Sequence, residues 1–292
     1  MATLSVGGQA INYRCSDPGN LPAQDPPDAL EKELSYTAPP IVALHCSSSH
    51  SGQWKALMKL MGDEHLVIAP DFHGYGSSAP LPQDNRPYFI HDVAIVKAIV
   101  GLLGEPVHLV GHSLGGTVAV RAALDFPEQI QSLTLIEPVL FNLLEETGVS
   151  EGHEYREIAH DMLIMNQYGT PEMSARRFMD FWIGEGKFDA IDDDTREYII
   201  RTIDRVADDW RGISIHAPGQ CNLKDLEKLK MPVLIISADQ TRSSTRAIVE
   251  LITDTIVHAE HKIIVGAGHL SPITDPDKVN VLIQSFLSGQ KN

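Results

Sequence analysis

Gly111-His112-Ser113-Leu114-Gly115-Gly116 follows the strand-like stretch 106–110 and precedes the small, helix-compatible run 117–124, an order that spells strand, sharp turn and helix with Ser113 at the apex. A turn this tight leaves no room for side chains beside the serine. Glycine at 111 and 115 meets that demand, and the Ser113 hydroxyl is expected to stand free of the sheet. The five-residue pattern alone is weak in a chain with 22 glycines; the strand before it and the helix after it give it weight.

Outward from the turn, apolar runs at 41–44, 66–69, 107–110, 133–136, 233–236 and 263–265 are short, rich in β-branched residues and not alternating. Such runs are expected of strands covered on both faces. Helical patterns lie between most of them, which implies right-handed crossovers and a parallel sheet with helices on both sides. Residues 4–6 and 10–14, separated around Gly7-Gly8, predict a hairpin that extends the sheet in antiparallel fashion to eight strands. Residues 18–40 are Pro-rich and charged and predict a surface excursion with a short helix at 29–34. The strand rhythm stops from 139 to about 228, where 162–166, 174–182 and 195–210 carry apolar residues at helical spacing. The expected organisation is a core of 1–138 and 229–292 with a helical cap inserted at 139–228.

Three further motifs stand in order around the turn: His45-Cys46-Ser47-Ser48-Ser49, Asp71-Phe72-His73-Gly74-Tyr75-Gly76-Ser77-Ser78, and Gly266-Ala267-Gly268-His269. With these four segments the chain resembles the α/β-hydrolase superfamily over nearly its whole length. The resemblance implies that fold, a serine nucleophile at Ser113, and a cap that forms much of the substrate pocket. Serine at this position counts against haloalkane dehalogenase and epoxide hydrolase chemistry, which in the superfamily employs aspartate.

A serine hydroxyl is a poor nucleophile at neutral pH. It needs a base within hydrogen-bond reach, a group that orients the base, and donors for the developing oxyanion. Of thirteen histidines, His269 alone lies in a Gly-x-Gly-His turn after a late β run. His153, His160, His216, His258 and His261 occupy cap-like or surface-like contexts, and His112 is expected to pack beside the turn. The resemblance implies a carboxylate after the seventh strand as Gly-x-x-Asp, but in Ser237-Ala238-Asp239-Gln240-Thr241 that position holds Gln240 or Thr241 and Asp239 is out of register. Glu137 ends the run 133–136, 24 residues after Ser113, and haloalkane dehalogenases and some related hydrolases carry their acid there. Glu137 is the preferred acid and Asp239 the alternative. The backbone N–H of Leu114 follows from the turn as one oxyanion donor, and the resemblance implies Ser47 as the second, with Cys46 in place of the family's glycine.

Asp71 is expected to anchor its turn, Ser48, Ser49 and Ser51 to bond locally, and Phe72 or Tyr75 to reach the pocket mouth. The cap offers Phe141, Leu143, Leu144, Met162, Met165, Phe178, Phe181, Trp182 and Trp210 as a group from which a lining is drawn.

Acidic residues outnumber basic ones by 39 to 23, a formal charge of −16, which argues against nucleic acid or an anionic membrane as a partner. The N-terminus lacks a basic and then apolar leader, and no segment approaches the roughly 20 apolar residues of a membrane span, so a cytoplasmic protein is expected. Cys15, Cys46 and Cys221 suit reduced thiols. Phosphate-cradling and metal-ligating patterns are missing, so no cofactor is expected. The expected activity is hydrolysis of small to medium, largely apolar carboxylic esters through an acyl-enzyme, by a monomer or homodimer. A carbon–carbon hydrolase of diketone-like ring-cleavage products, a cofactor-free perhydrolase or haloperoxidase on the same triad, and a non-catalytic ligand-binding member are the alternatives.

Overall fold

The apolar runs assemble into one eight-stranded sheet in a computed structural model that describes residues 1–17, 36–82, 84, 88–213 and 219–290. The strands are β1 (Ala2–Val6), β2 (Gln9–Cys15), β3 (Ile41–Leu44), β4 (Val67–Pro70), β5 (Val107–His112), β6 (Ile130–Ile136), β7 (Val233–Ala238) and β8 (Glu260–Ile264). Their order is β1-β2-β4-β3-β5-β6-β7-β8. The hairpin β1–β2 joins β4 antiparallel, and every other pairing is parallel. The helix expected at 29–34, and His216, lie outside the described residues.

Successive residues of the central strands serve opposite layers, as the period of two requires. Ile41, Ala43, Val67, Ala69, Leu234 and Ile236 pack with Trp54 and with α1 (Lys55–Met61) and α10 (Pro276–Ser288). Val42, Leu44, Ile68, Leu109, Leu135 and Ile235 face the opposite layer, which contains α2 (Tyr88–Leu103), α3 (Leu114–Asp125) and α9 (Ser243–Thr255). The run 263–265 departs from expectation: β8 closes the sheet as an edge, Ile263 is 57% exposed and Val265, just past the strand, 75%. A β-branched run at an edge reads like one in the centre, because composition reports propensity and not neighbours.

Between β6 and β7 lie α4 (Asn142–Thr147), α5 (Gly152–Tyr168), α6 (Pro171–Ile183) and α7 (Asp193–Gly212), followed by the one-turn α8 (Leu223–Leu226). Thr170 caps α6 through the Met173 N–H and Pro171 opens it; Asp192 caps α7 through the Thr195 N–H, ahead of Asp193 and Asp194, which suit the positive end of the helix dipole. Helices α5, α6 and α7 pack on one another and α7 seats on α2, while α8 lies against α3 and α9. Phe141, Tyr155 and Trp210 form a face-to-face stack with centroids 4.5 to 5.7 Å apart, so these cap aromatics hold layers together. No described helix is long and apolar enough to cross a membrane.

Candidate active site

Every segment of the site sits at the carboxyl end of a parallel strand, where the crevice of an open α/β sheet lies. Chain leaving β5 turns into α3 through Ser113, whose φ of 55° and ψ of −117° place a non-glycine residue in a region of real backbone strain. The glycines make the turn possible. A Cβ on Gly111 would land on the Gly115 carbonyl, and one on Gly115 on the Leu44 carbonyl. The turn is pinned to the neighbouring strand by the Ser113 N–H, which donates to Ile136 O at 3.0 Å.

Glu137, the first residue past β6, also has a positive φ, 47°. Its buried carboxylate accepts from the Ala238 N–H at 2.7 Å through Oε1 and from the Thr241 hydroxyl through Oε2. His269 Nδ1 stands 3.2 Å from the same Oε2, and its Nε2 stands 3.0 Å from Ser113 Oγ. A carboxylate only accepts, so the proton is on Nδ1, and Nε2 is left to accept from the serine. Ser113, His269 and Glu137 are 5%, 2% and 0% exposed, which strengthens each polar contact along this line. Asp239 lies elsewhere: it is exposed, and its Oδ1 accepts from the Gly266 N–H at 2.8 Å. Thr241, at one of the two positions reckoned for the family's aspartate, supports Glu137.

The loops are tied to one another beneath the crevice. His112 Nε2–H donates to the His269 carbonyl at 2.9 Å, so its Nδ1 accepts from Gln53 Nε2 at 3.1 Å, and Gln53 Oε1 accepts from the Cys46 N–H at 3.3 Å. Burial drives the His112 pKa far below the ordinary imidazole value, which fits a neutral structural ring. His45 is similar: both ring nitrogens meet backbone groups, those of Cys46 and Phe72, and burial lowers its pKa to about 4. Burial pushes the Cys46 thiol up to about 12, which suppresses the nucleophilic thiolate.

The backbone N–H groups of Ser47 and Leu114 have no hydrogen-bond partner among the described residues. Leu114 supplies the first N–H of α3, one of the four that a helix leaves unmatched at its positive end. Ser47 and Ser113 line one cavity of about 300 Å³. Cys46, Ser48, Ser49, Thr195, His269 and Thr274 also line it, and the rest of its wall is apolar, from Phe178, Met179, Trp182 and Ile183 of α6, Ile191 ahead of α7, Ile199 within α7, and Leu270 and Ile273 beyond His269. No Lys, Arg, Asp or Glu lines it among the described residues. Trp182 lies flat on the His269 ring, with centroids 3.6 Å apart and 15° between planes.

Of the nine cap residues named from sequence, Phe178 and Trp182 reach this cavity. Phe141 and Trp210 belong to the aromatic stack, and Met165 and Phe181 face a second, charged cleft. Met179, Ile183, Ile191 and Ile199 were missed. Met179 and Ile183 share the spacing of four with each other and adjoin Phe178 and Trp182, a signal a helical wheel contains. Phe72 and Tyr75 do not reach the cavity mouth: both are buried in the core, the Tyr75 hydroxyl on Asp209. Asp71 does anchor its turn, accepting from the Ser51 and Ser77 N–H groups at 2.7 and 3.0 Å. Of the serines expected to bond locally, Ser49 does so through its side chain to Cys46, Ser48 Oγ instead meets Thr202, and Ser51 Oγ has no partner among the described residues; Ser47 Oγ and the Ser49 carbonyl also reach α7, more than 140 residues away.

Residues 41–281 match the family model described as the alpha/beta hydrolase family. Among curated proteins, human monoglyceride lipase is 31% identical over 142 residues, covering 42% of this chain and 46% of that protein. The pimeloyl-[acyl-carrier protein] methyl ester esterase of Nitrosomonas europaea is 30% identical over 108 residues, 37% of this chain and 40% of the esterase. The curated relatives are thus matched over less than half of their own length. Among solved structures, the enol-lactonase of Burkholderia xenovorans LB400 superposes with a TM-score of 0.73 over 98% of this chain and all of that one, at 18% identity, a likeness of fold.

Proposed function

The chain belongs to the alpha/beta hydrolase family, and on that footing we propose that it is a serine hydrolase cleaving neutral, largely apolar carboxylic esters of small to medium size. The observation that carries this is the unbroken line of hydrogen bonds Ser113 Oγ, His269 Nε2, His269 Nδ1, Glu137 Oε2 at the mouth of an apolar cavity.

Ser113 Oγ attacks the ester carbonyl carbon as its proton passes to His269 Nε2, and Glu137 holds the tautomer and stabilises the imidazolium without becoming protonated. Charge developing on the carbonyl oxygen meets the N–H groups of Leu114 and Ser47, which have no other partner among the described residues. His269 returns the proton to the leaving alkoxide, and water, deprotonated by the same imidazole, releases the acyl group. Trp182, stacked on His269, covers one face of the ring and keeps water from it. The cap, residues 139–228, furnishes most of the apolar part of the wall, with Phe178, Met179, Trp182, Ile183, Ile191 and Ile199. A pocket lined by no Lys or Arg among the described residues gives an anionic substrate no fixed counter-charge, so desolvating one there is costly.

Initial rates on p-nitrophenyl esters from acetate to laurate test the proposal, with Ser113→Ala alongside. Turnover that favours short to medium acyl chains and disappears in the variant is expected. No turnover at any length, or turnover unchanged in Ser113→Ala, would overturn it.

A further inference from the structure

One face of α7 is built of polar residues at 198, 202, 205 and 209, the i, i+4, i+7, i+11 spacing of a single stripe. Instead of facing water, the stripe lies on the loop that follows β3. The Tyr198 hydroxyl donates to the Ser49 carbonyl at 2.8 Å and accepts from the Gly76 N–H at 2.9 Å, bridging two loops. Thr202 Oγ1 and Ser48 Oγ stand 3.0 Å apart. Asp209 Oδ2 accepts from Ser47 Oγ at 2.9 Å and also from the Tyr75 hydroxyl.

Asp209 is itself held from below. It is 3% exposed and pairs with Arg205, whose guanidinium also meets Asp92 of α2 at 2.7 Å and donates through Nε to the His73 carbonyl at 2.9 Å. A charged trio buried this deeply is a rigid fixture, because moving any member would leave another unpaired in low dielectric. It spans the seam between the cap helix and the sheet layer.

The loop it grips is under tension. Ser48 adopts φ 51°, a left-handed conformation that is strained for a non-glycine residue and persists only where surroundings over-determine it. Three consecutive serines, each tethered to the same helix, supply that over-determination. The N–H of Ser47, at the start of the tethered segment, is one of the two donors assigned above to the oxyanion.

We propose that α7 is the positioning element of the oxyanion site: Asp209, through Ser47 Oγ, and Thr202, through Ser48 Oγ, hold the Ser47 N–H where the tetrahedral intermediate needs it. This rests on the serine-hydrolase proposal. It makes the cap a contributor to rate as well as to substrate choice, and it gives Ser47 two separate jobs, a backbone N–H for the substrate and a side chain for Asp209.

The two jobs can be parted. Ser47→Ala keeps the N–H and removes the tether; Ser47→Thr keeps both; Thr202→Val removes the neighbouring tether at constant shape. The test measures kcat and KM on the best p-nitrophenyl ester, with thermal melts for folding and the Ki of an alkyl trifluoromethyl ketone, whose serine adduct carries the oxyanion. Expected are a fall in kcat on the order of tenfold or more in Ser47→Ala with KM within about twofold, a parallel weakening of the ketone, a smaller fall in Thr202→Val, and recovery in Ser47→Thr. A contribution to stability alone would lower the melting temperature and leave kcat of the folded enzyme untouched. Wild-type kcat and ketone affinity in Ser47→Ala would overturn the positioning role while the hydrolase proposal stood. A wild-type protein that neither turns over esters nor binds the ketone would bring down both.

Discussion

Glu137 and Asp239 differ in environment more than in chemistry. The first is buried, accepts three hydrogen bonds and faces the imidazole; the second is exposed and spends its Oδ1 on a loop N–H. Replacing Glu137 by Gln should lower kcat on the order of a thousandfold or more, since the amide cannot stabilise an imidazolium and favours the wrong tautomer. Asp239→Asn should cost less than about tenfold. Steady-state rates on one ester check both, with a melt to exclude unfolding, and the reverse ranking would move the acid to Asp239. At this scale Ser113, His269 and Glu137 could be picked out because short motifs mark them. Their supports, Thr241, Gln53 and the Ser47–Asp209 contact, could not be, because each joins segments that only the tertiary fold brings together.

Among the elements, the strands were legible because a buried parallel strand has a short, β-branched, unbroken apolar run as its signature. What eluded the sequence was which neighbour each element would have: β8 resembles a central strand yet closes the sheet, and α7, amphipathic as expected, presents a polar stripe to protein and not to solvent. Two predictions belong here. Ile183 lies on α6 where the cavity is lined by aliphatic side chains; Ile183→Trp should fill part of the space and shift the optimum of the ester series toward shorter acyl chains, with acetate turnover changed by less than about threefold. An unshifted optimum would place the acyl chain elsewhere. The second concerns the seam between α2 and α7. Burial pushes the Asp92 carboxyl up to about 7, against the attraction of Arg205. A carboxyl whose pKa is higher in the native protein than in the unfolded chain adds stability below about pH 4 and loses it as pH rises through 7. The melting temperature of Asp92→Asn should therefore decline less than that of wild type between pH 5 and pH 8, and parallel profiles would contradict this.

For the molecule as a whole, acid is the exposed flank. Burial holds His45, His73 and His108 down to about 4, below the ordinary value of 6.5. Their neutral forms contribute stability above pH 6.5 that is lost as pH falls through 4, because the unfolded chain takes up protons the native protein refuses. His50, His112 and His261 are lowered by burial as well, and together the six imidazoles outnumber the carboxyls of Asp92, Asp209 and Glu105, which burial raises. Melts should drop on the order of 5–10 °C between pH 7 and pH 4.5, and a flat profile would mean that these rings charge without cost. The eight-stranded layout and an inserted helical segment were both legible at this scale from the rhythm of strand and helix, while the path of the cap over the site was not, because apolar residues at helical spacing serve core and pocket alike.

The most direct test of the central claim is covalent. Incubating the folded protein with an alkyl fluorophosphonate and mapping the adduct by peptide mass spectrometry should place a single phosphonyl group on Ser113, absent from Ser113→Ala and much slower to form in Glu137→Gln. No adduct on the folded wild type, or one on another residue that persists in Ser113→Ala, would contradict a serine nucleophile activated by His269 and Glu137.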